Sequence, residues 1–159
     1  MAPKPTPVFF AKPLMVIALL ATALFTTAQS AYVKKYRPLA DSLSAEFGIP
    51  AAVILGVAII ESSSGTSKNC KLLNNHFGII GRNGVMKSHR VRTRYKQYPN
   101  ARASYLDFCK VLSKKKFYKK LKGNLNYHLW VDAISKAGYS EVPSVWKQRI
   151  TGAIKNNKL

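Results

Sequence analysis

Carboxylates are scarce in this chain. Six acidic side chains, Asp41, Glu46, Glu61, Asp107, Asp132 and Glu141, stand against 26 Lys and Arg in 159 residues. Chemistry that needs an acid must draw on that short list, and Glu61 is the only carboxylate between Glu46 and Asp107. Histidine is rarer still. His76, His89 and His128 lack the close His or Cys spacing that zinc ligation favours, so no metal site is expected, nor any other cofactor. The two cysteines, Cys70 and Cys109, are compatible with one disulfide in an oxidising compartment or with two buried free thiols. No internal repeat or low-complexity segment is present beyond the Lys and Asn residues at the C-terminus.

A length of 159 residues suits one domain. The first thirty residues read as a leader: Lys4 and Lys12 are basic, Leu14 to Phe25 is apolar, and Ala28-Gln29-Ser30 supplies small residues before Ala31. A secretory signal peptide over 1–30 is expected, leaving a mature domain over 31–159 that is secreted or periplasmic. The alternative is an uncleaved membrane anchor. Its apolar run of about a dozen residues falls short of the roughly 20 that a spanning helix needs.

The formal net charge of +20 predicts attraction to a polyanion. For an exported protein the polyanions first met are envelope polymers, so these, rather than nucleic acid, are the expected partners. Clusters such as Lys114-Lys115-Lys116 and Lys119-Lys120 also fit a merely solvated helix face.

Apolar spacing predicts a mainly helical domain. Leu39, Leu43 and Phe47 recur every four residues before Gly48, and Pro50 opens a nearly continuous apolar helix to Ile60 that should be buried on most sides. From Ser62 to Asn83 the chain is rich in Ser, Gly and Asn and should be loop, with one helical turn around Lys71 to Leu73. Val85 to Met86 and Val91 to Tyr98 alternate weakly, which predicts a small β-hairpin leaning on the helical body. Further helices are predicted over Ala101 to Leu112, around Phe117 to Leu121, over Tyr127 to Ala137, and from Pro143 or Ser144 to about Ile154.

Glu61 lies where the apolar helix ends. Backbone carbonyls at a helix C-terminus disfavour a nearby negative charge, and Val57 and Ala58, one turn back, remove water from the side chain. Both effects favour a carboxylic acid that stays protonated, as a general acid must. An exposed terminus, or a salt bridge to one of the many cations, is the other reading of the same position.

Three motifs in order, Glu61-Ser62-Ser63-Ser64-Gly65-Thr66-Ser67, Asn74-Asn75-His76-Phe77-Gly78-Ile79, and Lys136-Ala137-Gly138-Tyr139-Ser140 with Pro143, resemble the glucosaminidase domain of glycoside hydrolase family 73. That family comprises bacterial autolysins and flagellar rod-cap hydrolases. The likeness runs from about Arg37 to Ile154 and implies a lysozyme-like helical fold acting, as a monomer, on peptidoglycan glycan strands, cut after N-acetylglucosamine. By the same resemblance Glu61 is the general acid and Tyr139 stands beside it, while Asn75, Phe77, Gly78 and Tyr98 line the sugar groove. Taken alone, Asn75 fits an Asx turn and Phe77 a core position equally well.

The chain departs from the family pattern in two places. Ser63 and Ser64 stand where many members carry a tryptophan or a small residue. The stretch from Val91 to Tyr98, where many relatives supply a second carboxylate, contains no acid, and Thr93 occupies the corresponding position. Glycosidases using two carboxylates hold them about 5–5.5 Å apart for retention or about 6.5–9.5 Å for inversion. Of the remaining acids only Glu141, two residues past Tyr139, is placed to approach the groove. The alternative is substrate assistance, in which the 2-acetamido group of the sugar is the nucleophile and one protein acid suffices. Two further readings remain open: a non-catalytic glycan-binding module, and a cationic protein that disrupts envelopes or binds nucleic acid.

Overall fold

The computed structural model describes residues 31–159, and the expected leader lies outside them. The chain is helical over 31–47 (α1) and continues through α2 (Ala51–Ser62), α3 (Lys68–Leu73), α4 (Val85–His89), α5 (Ala101–Ser113), α6 (Tyr118–Leu121), α7 (Tyr127–Lys136) and α8 (Pro143–Asn156). No helix among the described residues is long and apolar enough to cross a membrane.

The core is organised around α2, in which every residue from Val53 to Ile59 is buried. No polar face is left on that stretch, so other helices must cover it on several sides. One contact depends on a missing side chain. A Cβ on Gly56 would stand 2.7 Å from Ile154 Cγ1, closer than van der Waals packing permits, so glycine at this position lets α8 lie directly against α2. Trp130, Val131 and Ile134 of α7 and Tyr105, Phe108, Cys109 and Leu112 of α5 complete the apolar interior.

Short polar side chains set where the helices begin. Asn100 accepts a hydrogen bond from Ala103 N–H at the start of α5, Ser67 from Cys70 N–H at α3, and Asn126 from His128 N–H at α7. Pro143 occupies the first turn of α8, where its absent N–H leaves no bond unmade. α2 ends abruptly, with Ser63 and Ser64 both left-handed (φ 50° and 53°) before Gly65. Buried Ser62 secures this turn. Its hydroxyl donates to Ala58 C=O (2.6 Å) and accepts from Gly65 N–H (2.8 Å).

The expected hairpin is corrected. Val85 and Met86 belong to α4, because a helical turn carries Val85 into the interior, where it is fully buried. Among the described residues the pairing that forms is a single antiparallel bridge, Ile80 to Tyr95. Around it, residues 79–82 and 94–97 are joined by Lys96 N–H to Ile79 C=O, Gly81 N–H to Arg94 C=O and Gln97 N–H to Arg82 C=O. Two asparagines replace most of a ladder: Asn83 donates to Thr93 C=O and Tyr95 C=O, and Asn75 to Ile79 C=O and Lys96 C=O. Cys70 and Cys109 are both buried and unpaired, so the two thiols are free.

Candidate active site

A cleft of about 530 Å³ opens between this small lobe and the helical body. Glu61, the penultimate residue of α2, reaches it. The lobe contributes Gly78, Ile79, Ile80, Arg94 and Tyr95, and the body contributes Val111, Lys115, Phe117, Ala137 and Tyr139. Glu61 is the only acid among the lining residues. Such a mixture of apolar walls and a few polar groups suits a sugar ring, which has C–H faces and hydroxyl edges.

Two residues of α8 lie close enough to favour the charged form of Glu61. Trp146 donates its indole N–H to Glu61 Oε1 at 2.7 Å, and Arg149, one turn further on, adds a positive charge nearby. Both favour the ionised form. Burial opposes them and is the larger influence, so the carboxyl is held above its ordinary value. Trp146→Phe removes the donor while keeping an aromatic ring, and should raise the Glu61 pKa further. Since a general acid works when protonated, the alkaline limb of the kcat/KM profile is expected to move to higher pH. A limb that stays in place would show that this hydrogen bond does not tune the acid.

Tyr139 follows α7 after Gly138 and packs near Trp146 and Phe108, with ring centroids 5.4 Å and 6.0 Å away. Its hydroxyl donates to Phe77 C=O at 2.6 Å, tying the α7–α8 connection to the loop before the lobe. With that proton engaged, the group can still offer an accepting oxygen to the cleft. Burial, with the neighbouring Glu61 charge, keeps the phenol well above its ordinary pKa.

Other residues singled out in the sequence have different places. Gly78 (φ 66°) borders the acid, and a Cβ there would be 3.6 Å from Glu61 Oε2, so glycine leaves the space before the carboxyl open. Phe77 borders the cleft as expected, but it is buried, its ring stacked on Phe108 at 4.2 Å. Buried Asn75 spends its amide within the chain: Oδ1 accepts from Phe77 N–H and Ile79 N–H, and Nδ2 makes the two bonds to the lobe. Tyr98 is buried away from the lining, with its hydroxyl bonded to Asp107 at 2.7 Å.

Among the described residues no second carboxylate joins Glu61 in the cleft lining. Asp107 is held by Lys96 as well as Tyr98, Asp132 pairs with Lys136 and Lys147, and Glu141 is exposed and outside the lining. Behind the α2 terminus lies a buried polar cluster, whose Tyr32, Cys70 and His76 border a second cavity of about 360 Å³. Tyr32 contacts His76 Nδ1 (2.6 Å) and the Tyr105 hydroxyl (2.8 Å), with Ser62 Oγ at 3.5 Å. Burial lowers the His76 pKa to about 4 and raises that of Cys70 to about 11, so both stay neutral at neutral pH.

Sequence reasoning did not find Trp146 and Arg149. The available signal was generic, namely that a buried tryptophan needs an acceptor for its N–H. Which acceptor depends on the crossing of α2 and α8.

A helical domain with a single acid, kept from ready ionisation in a groove with apolar walls, is suited to glycoside hydrolysis. Residues 37–159 match the family model Glucosaminidase, described as mannosyl-glycoprotein endo-beta-N-acetylglucosaminidase, and the chain belongs to that glycoside hydrolase family, the one its three motifs resemble. Among solved structures it is similar to the catalytic domain of the autolysin Auto from Listeria monocytogenes, with 21% identity over 96% of this chain and 97% of that one and a TM-score of 0.69. The glycoside hydrolase domain of FlgJ from Salmonella typhimurium is 19% identical over 82% of this chain and 88% of that one, with a TM-score of 0.64. A peptidoglycan hydrolase from Sphingomonas sp. A1 is 23% identical over 81% and 89%, with a TM-score of 0.63. At these identities the likeness establishes the fold. No curated protein matches the chain.

Proposed function

We propose that the protein hydrolyses the glycan strand of peptidoglycan in the bacterial envelope, cutting after N-acetylglucosamine, with Glu61 as the general acid. The observation that carries this reading is the solitary, half-buried Glu61 at the cleft, bonded to Trp146. Family membership supports the glycosidic bond as the target. The neighbouring autolysin and peptidoglycan hydrolase support the polymer.

With one acid in the cleft, substrate assistance accounts for the chemistry. Glu61 donates its proton to the glycosidic oxygen as the C1–O bond breaks, and the carbonyl oxygen of the sugar's own 2-acetamido group bonds to C1. Water then attacks C1, its proton passes to the Glu61 carboxylate, and the acetamido group is released. Two displacements at C1 give retention of configuration. Tyr139 positions the acetamido group by accepting its N–H, the role left to a hydroxyl whose proton is engaged by Phe77.

Mass spectrometry of fragments released from purified sacculi by the mature protein tests the cut. Reducing N-acetylglucosamine ends are expected, whereas muramic acid ends would make the protein a muramidase. NMR of the first product anomer tests the route, and clean inversion would rule out the acetamido nucleophile.

A further inference from the structure

Arg94 and Lys115 both border the cleft, yet neither has an acidic partner. The ion pairs among the described residues are Lys96 to Asp107, and Lys136 and Lys147 to Asp132. The two cations come from different parts of the fold, Arg94 from the lobe and Lys115 from the turn between α5 and α6.

Their backbones are anchored although their side chains are exposed. Arg94 C=O accepts from Gly81 N–H, and the carbonyls on either side of it, Thr93 and Tyr95, are both held by Asn83. Lys115 N–H donates to Leu112 C=O, and Lys115 C=O accepts from Tyr118 N–H.

A neutral sugar chain gives unpaired cations nothing to neutralise. Peptidoglycan does, because the lactyl arm of each muramic acid carries a peptide with free carboxylates. A guanidinium binds a carboxylate as a planar fork, and an ammonium binds it as a point charge.

We propose that Arg94 and Lys115 form an anion subsite that binds peptide carboxylates branching from the glycan, so that the cleft selects peptide-bearing strands. This rests on the peptidoglycan reading above.

The test compares native sacculi with sacculi whose carboxylates have been converted to amides. The double variant Arg94→Gln, Lys115→Gln should lose roughly tenfold or more in kcat/KM on native sacculi, mostly through KM, with most of that loss absent on the amidated ones. A control of equal charge change, Lys119→Gln with Lys120→Gln on α6 outside the cleft lining, should behave like the parent on both. Equal losses on the two substrates, or a control that loses as much, would overturn the subsite. Independently of any variant, added salt should raise the parent's KM on native sacculi more than on amidated ones, and identical salt responses would also overturn it. A parent that cleaves neither substrate would instead refute the peptidoglycan reading itself.

Discussion

Glu61→Gln is expected to lower kcat on sacculi by about 10²–10⁴-fold, the usual worth of a positioned general acid, while binding to sacculi persists. The amide fills the same space and can still accept the Trp146 N–H, so the loss should be chemical rather than structural. Stability gives a second readout. The folded-state pKa of Glu61 is raised above its ordinary 4.5, so the folded protein holds the proton more tightly than the unfolded chain does. The parent consequently loses stability as pH rises from 4.5 through the folded-state value, and glutamine does not. Thermal melts should therefore show the variant more stable than the parent at neutral pH and no such advantage below 4.5. Undiminished hydrolysis by the variant would remove Glu61 from the mechanism. If the parent only binds sacculi, the protein is a non-catalytic wall module, and effects that survive the substitution but vanish in salt would mark a purely cationic action.

Asn75→Ala carries the second large expectation. It deletes four hydrogen bonds at once and leaves Phe77 N–H, Ile79 N–H, Ile79 C=O and Lys96 C=O without the amide. Removing one partner from buried polar groups is costly, and a loss of about 2–4 kcal/mol is expected in urea unfolding. Activity should fall as well, because the same loop presents Gly78 to the acid and the Phe77 carbonyl to Tyr139. A contact with sugar would behave differently, raising KM with little change in stability, and that outcome would return Asn75 to the substrate-binding set.

Helices were legible where apolar spacing or an end signal marked them, although α1 begins at 31, well before the Leu39 from which its spacing was read. The 105, 108, 109, 112 spacing placed α5, Gly138 closed the α7 pattern, and Pro143 opened α8. The lobe was not legible in the same way. Its valines suggested strands, but Val85 reaches the interior from a helical turn, and side-chain amides from Asn75 and Asn83 do the pairing that strands would have done. Glu61 stood out because it is an acid at the end of an apolar helix and opens the first of the three motifs. Aromatics near a motif were harder to place: Phe77 is buried and stacked on Phe108 while still bordering the cleft, whereas Tyr98 turns away from it to bond Asp107. Trp146 lies 85 positions from Glu61, and no local pattern reports a contact of that range.

The absent methyl group at Gly56 has a chemical meaning as well as a steric one. It sets the gap between the helix carrying Glu61 and the helix carrying the indole and guanidinium beside it. A change at that one position would therefore alter the surroundings of the Glu61 carboxyl without replacing any residue that lines the cleft.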